Sequence, residues 1–196
     1  MTIISNMKKT KMIFLHGKGC ASSNELYAPV KQLAEHMGAE LFCIDAPNPH
    51  REKGNRWHNG NKQPIEEAIV EFNKSIEHIE TETHKIVGAD KIPNDIIWAG
   101  QSQGGDMAMR MALKYGAKNV VVWGADISPS FPLPENPHTD FIINWLQAEE
   151  DDTLNESRLQ SYEKLIGIGV GLNYKIIPGT THTNWSVGQL ISELKI

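Results

Sequence analysis

Six residues, Gly100-Gln101-Ser102-Gln103-Gly104-Gly105, lie between the apolar run Ile96-Ile97-Trp98-Ala99 and a helix-period segment ending at Tyr115. Strand, sharp turn and helix in immediate succession is the setting in which G-x-S-x-G raises a serine hydroxyl above the edge of a sheet. A turn that tight strains the backbone at the serine. Its neighbours two positions away on either side must lack Cβ atoms to avoid collision. Gly100 and Gly104 meet that demand. The other reading of Ser102 is a plain helix N-cap, a common place for serine.

The rest of the chain repeats the alternation. Candidate strands are Met12–Leu15, Leu41–Ile44, Ile96–Ala99, Val120–Trp123, Phe141–Leu146 and Tyr174–Ile177. Several are apolar on consecutive residues, as strands buried on both faces of a parallel sheet must be. Helical periodicity marks Leu26–His36, Ile65–Glu80, Asp106–Tyr115, Ser157–Ile166 and Trp185–Leu194. In Asp106–Tyr115 the apolar face carries Met107, Ala108, Met111, Ala112 and Tyr115, while Arg110 and Lys114 fall on the other. The expected fold is α/β: a mostly parallel sheet with helices on both faces. At 196 residues, a single domain over 1–196 is the natural expectation. Two stretches, Pro47–Pro64 and Ser128–His138, are rich in proline, glycine or asparagine and read as binding loops or surface connections.

A serine hydroxyl is a weak nucleophile at neutral pH, so it needs a base, and the base needs an orienting carboxylate. Such groups gather at the carboxyl ends of parallel strands, where an open α/β sheet forms its crevice. The run Phe141–Leu146 leads into Glu149-Glu150-Asp151-Asp152, and Tyr174–Ile177 leads into Pro178-Gly179-Thr180-Thr181-His182. The order serine, acid, histidine is that of the α/β-hydrolases. His182 competes with His16, His36, His50, His58, His78, His84 and His138, but it closes the last strand. The acid stays open among the four adjacent carboxylates. A tetrahedral intermediate also needs donors for its oxyanion. The backbone N–H of Gln103 is one, and the turn His16-Gly17-Lys18-Gly19 offers the N–H of Lys18 as the other. No phosphate-binding G-x-x-x-x-G-K-[ST] pattern is present.

These blocks resemble those of the phospholipase/carboxylesterase family of α/β-hydrolases, which includes acyl-protein thioesterases and small bacterial carboxylesterases. The resemblance is carried by Leu15–Gly19, Gly100–Gly105, Glu149–Asp151 and Pro178–His182. It implies Ser102 as nucleophile, His182 as general base and Asp151, rather than Asp152, as the acid ending a G-x-x-D segment. It also implies that Trp57 lines an acyl pocket. This chain departs from the pattern with Ala148 for the usual glycine, Thr181 before the histidine, and Cys20-Ala21-Ser22 where an aspartate is common.

Together these features lead us to expect hydrolysis of a small-molecule carboxylic ester or thioester of short to medium acyl length through an acyl-enzyme, with no metal or cofactor. The pocket would be shaped by Trp57, Phe131, Leu133 and Trp185, apolar residues of its rim loops, unless these side chains are merely partly buried amphipathic groups. The rival readings are an inactive hydrolase fold used for binding, or a lactonase, peptidase or dienelactone-type enzyme on the same residues. The net charge of −5 and the lack of a Lys/Arg cluster give no reason to expect nucleic acid. Two cysteines and an N-terminal apolar run of only four residues fit a reduced, cytoplasmic protein without a signal peptide or membrane span. Homodimerisation is common in proteins of this type, and no residue here establishes it.

Overall fold

The computed structural model describes residues 9–21, 27–50, 54–60, 64–151 and 155–195. Six strands form one sheet: β1 (Lys11–Leu15), β2 (Glu40–Ile44), β5 (Ile97–Gln101), β6 (Asn119–Trp123), β7 (Ile142–Ala148) and β8 (Gly171–Ile177). Their spatial order is β2-β1-β5-β6-β7-β8, and every pairing is parallel. A two-residue hairpin, β3 (Asn48–Pro49) with β4 (Asn55–Arg56), lies in the first of the two expected loops. The helices are α1 (Tyr27–His36), α2 (Ile65–Val87), α3 (Gln103–Tyr115), α4 (Asn155–Gly167) and α5 (Val187–Ser192).

Period-two alternation sends successive strand residues to opposite faces. Ile13, Leu15, Trp98, Val120 and Val122 pack with residues of α2, α3 and α4, whereas Met12, Phe14, Ile97, Val121 and Trp123 pack with α1 and α5. Both faces are therefore apolar, which is why the central strands read as unbroken hydrophobic runs. Burial of this kind stabilises by roughly 25 cal/mol per Å² of apolar surface removed from water.

Element ends depart from the sequence reading for local reasons. The strand expected at Ile96–Ala99 runs on to Gln101 because Gly100 and Gln101 still pair with Val122 and Trp123. Helix α3 begins three residues early, directly after Ser102. Helix α2 continues past Glu80 to Val87 and stops at Gly88, whose left-handed φ of 65° lets its N–H close on the His84 carbonyl. Helix α5 is shorter than expected, since Ser186 and Gln189 form a reciprocal capping box that starts it at Val187.

Three buried asparagines tie the strands to the C-terminal segment. Asn144 Nδ2 donates to Asn119 Oδ1 at 2.7 Å and to the Lys195 carbonyl at 3.1 Å. Its Oδ1 accepts from Asn173 Nδ2 at 2.9 Å and from the Lys195 N–H at 2.7 Å. A buried polar group left without its partner costs about 1–3 kcal/mol. Asn144→Ala strands several at once, so a loss of about 3 kcal/mol is expected, read as a lower urea midpoint with an unchanged slope.

Candidate active site

Because the strands are parallel, the segments following β1, β5, β6, β7 and β8 all emerge at one edge of the sheet. The chain reverses its direction of travel across the sheet between β1 and β5, the place where open α/β sheets form a crevice. Ser102 sits there, at φ 51° and ψ −124°, the only non-glycine with positive φ among the described residues. The room for this turn comes from missing side chains. A Cβ at Gly100 would lie 2.4 Å from the Gly104 carbonyl oxygen, and one at Gly104 would lie 2.1 Å from that of Leu15. Ser102 occupies the N-cap position of α3, yet its side chain makes no capping hydrogen bond. Its Oγ instead stands 3.0 Å from His182 Nε2.

On the far side of that ring, His182 Nδ1 is 2.7 Å from Asp151 Oδ2. A carboxylate can only accept, so Nδ1 carries the proton and the Nε2 lone pair faces the serine hydroxyl. The Asp151 carboxylate is fully enclosed, while His182 keeps 29% of its side chain accessible. Glu149 and Glu150 are exposed, and Asp152 lies outside the described residues. Backbone bonds join the two loops: Glu149 N–H to the Ile177 carbonyl at 3.2 Å and Glu150 N–H to that of Thr180 at 3.0 Å. Thr180 Oγ1 donates to the Ile177 carbonyl at 2.7 Å, and Arg158 donates to the Asp151 carbonyl.

The turn after β1 packs on the nucleophile, since a Cβ at Gly17 would lie 3.5 Å from Ser102 Cβ. His16 sets the orientation of this turn. Its Nε2 accepts from the Ala46 N–H at 3.0 Å, so Nδ1 holds the proton and donates to the Gly17 carbonyl at 2.7 Å. In a planar trans peptide the C=O and N–H point to opposite sides. Pinning the Gly17 carbonyl therefore also aims the Lys18 N–H, the expected oxyanion donor. Gln103 is the first residue of α3, and first-turn N–H groups have no acceptor within their helix.

The expected pocket residues are placed differently. Trp57 and Phe131 are 0% and 1% exposed and belong to the core, so neither forms a rim that could measure an acyl chain. The Trp57 indole N–H donates to the His16 carbonyl at 2.8 Å, and Phe131 stacks on Phe72 with ring centroids 4.3 Å apart. Leu133 lines a cavity of about 420 Å³ with Phe72, Ile76, Arg110 and Lys114, a lining that includes none of Ser102, Asp151 and His182. Half-buried Trp185 packs on the α1/α5 side and donates its indole N–H to the His182 carbonyl at 3.0 Å, supporting the histidine from behind.

Arg110, on the face of α3 opposite its apolar stripe, is nevertheless buried. It is 2% exposed, because the segment 128–132 folds over it and offers carbonyls of Ser128 and Pro132 to its guanidinium at 2.8 and 2.7 Å. Its Nε donates to Asp106 Oδ1 at 2.7 Å. The only sequence signal for this buried pair was its i, i+4 spacing.

Compared by sequence, the chain matches no protein-family model and no curated protein. Compared by structure, it superposes on SOBER1 of Arabidopsis thaliana with a TM-score of 0.73, at 21% identity over 94% of this chain and 95% of that one. The esterase PE8 superposes with a TM-score of 0.75, at 18% identity over 94% and 90% of the two chains. A carboxylesterase from Mesorhizobium loti gives 0.70, at 16% identity over 95% and 88%. The fold is the α/β-hydrolase fold. Among the described residues no helix is long and apolar enough to cross a membrane, and no group of His, Cys, Asp or Glu could hold a metal ion.

Burial lowers the His16 pKa from its ordinary 6.5, against the opposing pull of the Gly17 carbonyl and Asp45. Below pH 6.5 the unfolded chain then binds a proton that the folded chain refuses, so this contribution to stability falls with acidification and is complete only above that value. Urea midpoints at pH 7.5 and at about pH 5 should therefore separate in the natural protein. The separation should shrink in His16→Asn, whose amide can still serve the Gly17 carbonyl.

Proposed function

We propose that this protein is a serine hydrolase of carboxylic esters or thioesters, of the phospholipase/carboxylesterase type. The observation that carries the reading is the continuous chain from Ser102 Oγ through His182 to Asp151, at 3.0 and 2.7 Å. The strained backbone of Ser102 supports it further. A left-handed serine costs about 1–3 kcal/mol, a cost without use in a binding module.

In the first half-reaction Ser102 Oγ attacks the acyl carbonyl carbon while its proton passes to His182 Nε2. The buried Asp151 carboxylate holds the ring and balances the imidazolium that forms. Charge collects on the former carbonyl oxygen, where the Gln103 and Lys18 N–H groups would receive it. His182 then gives its proton to the leaving alcohol or thiol as the C–O or C–S bond breaks. Water attacks the acyl-serine in the second half-reaction, with His182 again as base, and Ser102 Oγ leaves with the proton.

A fluorophosphonate should attach to Ser102, mapped by peptide mass, and p-nitrophenyl acetate should be hydrolysed. Ser102→Ala and His182→Ala should each lower kcat by at least about a thousandfold and abolish labelling. Asp151→Asn should cost about 10³–10⁴ in kcat by allowing the wrong tautomer, while Asp152→Asn leaves it near that of the natural protein. An unlabelled, inactive natural protein refutes the assignment.

A further inference from the structure

Gln103 follows Ser102 in the chain, and its side chain is anchored in the segment Asn55–His58. Gln103 Oε1 accepts from the Trp57 N–H at 2.8 Å, and Nε2 donates to the His58 carbonyl at 2.8 Å. These two backbone partners fix which end of the amide is oxygen. The Nε2 group also faces His58 Nδ1 at 3.3 Å. A donor-only group there makes Nδ1 the lone-pair nitrogen, so the neutral ring carries its proton on Nε2.

That Nε2 faces Asp106 Oδ2 at 3.8 Å, and both atoms are buried with no hydrogen-bond partner. Asp106 Oδ1 is held by Arg110. Asp106 is thus the acceptor at the centre of a row: Arg110 donates to it from one side, the His58 Nε2–H faces it from the other, and Gln103 Nε2 faces His58 Nδ1 as a donor. His58 is wedged against Phe131, its ring centroid 4.7 Å away and nearly edge-on. The ring cannot turn to exchange its nitrogens without displacing that packing.

The same segment grips the other half of the site. The Gly19 N–H donates to the Asn55 carbonyl at 2.7 Å, the Asn55 N–H donates to the Cys20 carbonyl at 2.9 Å, and the Trp57 indole reaches the His16 carbonyl. Residues 55–58 therefore bridge the start of α3 and the turn after β1. Those two elements hold the Gln103 and Lys18 N–H groups.

We propose that His58 and Asp106 are positioning residues for the oxyanion site: Asp106 selects the Nε2–H tautomer of His58, and the bare Nδ1 locks Gln103 to the segment that spaces the two donors. This rests on the serine-hydrolase reading above. An asparagine at position 106 can present its NH₂ to Nε2 and release the proton to Nδ1. Nδ1–H would then face the Gln103 amide donor to donor, and Gln103 would have to give up the Trp57 N–H. Oxyanion donors act on charge that exists only in the transition state, so the loss falls on kcat and leaves KM alone.

The test is a cycle on p-nitrophenyl acetate with the natural protein, Asp106→Asn, His58→Asn and the double variant. Asparagine at position 58 supplies an acceptor close to the Nδ1 position that has no tautomer to select. Asp106→Asn should lower kcat about tenfold at unchanged KM beside His58, and less than about twofold beside asparagine. Equal losses in both backgrounds overturn the proposal. Imidazole ¹⁵N NMR of the natural protein, which needs no variant to fold, should find His58 protonated on Nε2 and bare on Nδ1; the opposite tautomer also overturns it. A chain that neither hydrolyses the ester nor takes up a fluorophosphonate loses the hydrolase reading and the oxyanion role with it. Turnover with additive losses defeats this proposal alone.

Discussion

Everything at the carboxyl edge of the sheet depends on how closely the Ser102 turn can approach the neighbouring strand. The backbone at Gly104 sits where any side chain would run into the carbonyls of Leu15 and His16. That contact wedges the start of α3 against the end of β1. It brings the turn 16–19 alongside the serine and holds Ser102 in a conformation it would otherwise leave. The strain is met by the sheet on both sides, with the Ser102 N–H donating to the Trp123 carbonyl at 3.0 Å.

Two kinds of buried polar structure surround this wedge. At the carboxyl edge, His182, His16 and His58 each have one ring nitrogen committed to a group that can only donate or only accept. Their tautomers follow from fixed partners and not from solvent. Toward the other end of the strands, the asparagine ladder through Asn119, Asn144 and Asn173 clasps the C-terminal residues. Apolar packing supplies most of the stability in such a core, but it is non-directional. Directional bonds of this kind specify how the strand ends and loops line up.

The short glycine and histidine blocks were readable because each answers a local demand. A serine between Gly100 and Gly104 after an apolar run has few other conformations, and consecutive apolar residues in Ile96–Ala99 and Val120–Trp123 suit only a sheet covered on both sides. The solved structures on which the chain superposes share only 16–21% of its residues over nearly the whole fold. The side chains between the blocks were not readable. The burial of Arg110 could not be foreseen because helical periodicity knows nothing of the segment 128–132 that covers it. Trp57 and Phe131 looked like rim residues because a proline-rich loop does not announce how deeply it folds inward.

Fold class, the order of strand-end segments and Ser102 and His182 as candidates could be read from the chain alone, since local backbone sterics and hydrophobic period act over a few residues; Asp151 was singled out among four adjacent carboxylates only by the family resemblance. The juxtaposition of Ser102 Oγ with His182 across 80 positions, the enclosure of the Asp151 carboxylate and the threading of residues 55–58 between β1 and α3 came only from the tertiary structure. These contacts depend on strand order, helix docking and loop path. Those are set by the packing of the whole sheet, which no short window of sequence contains.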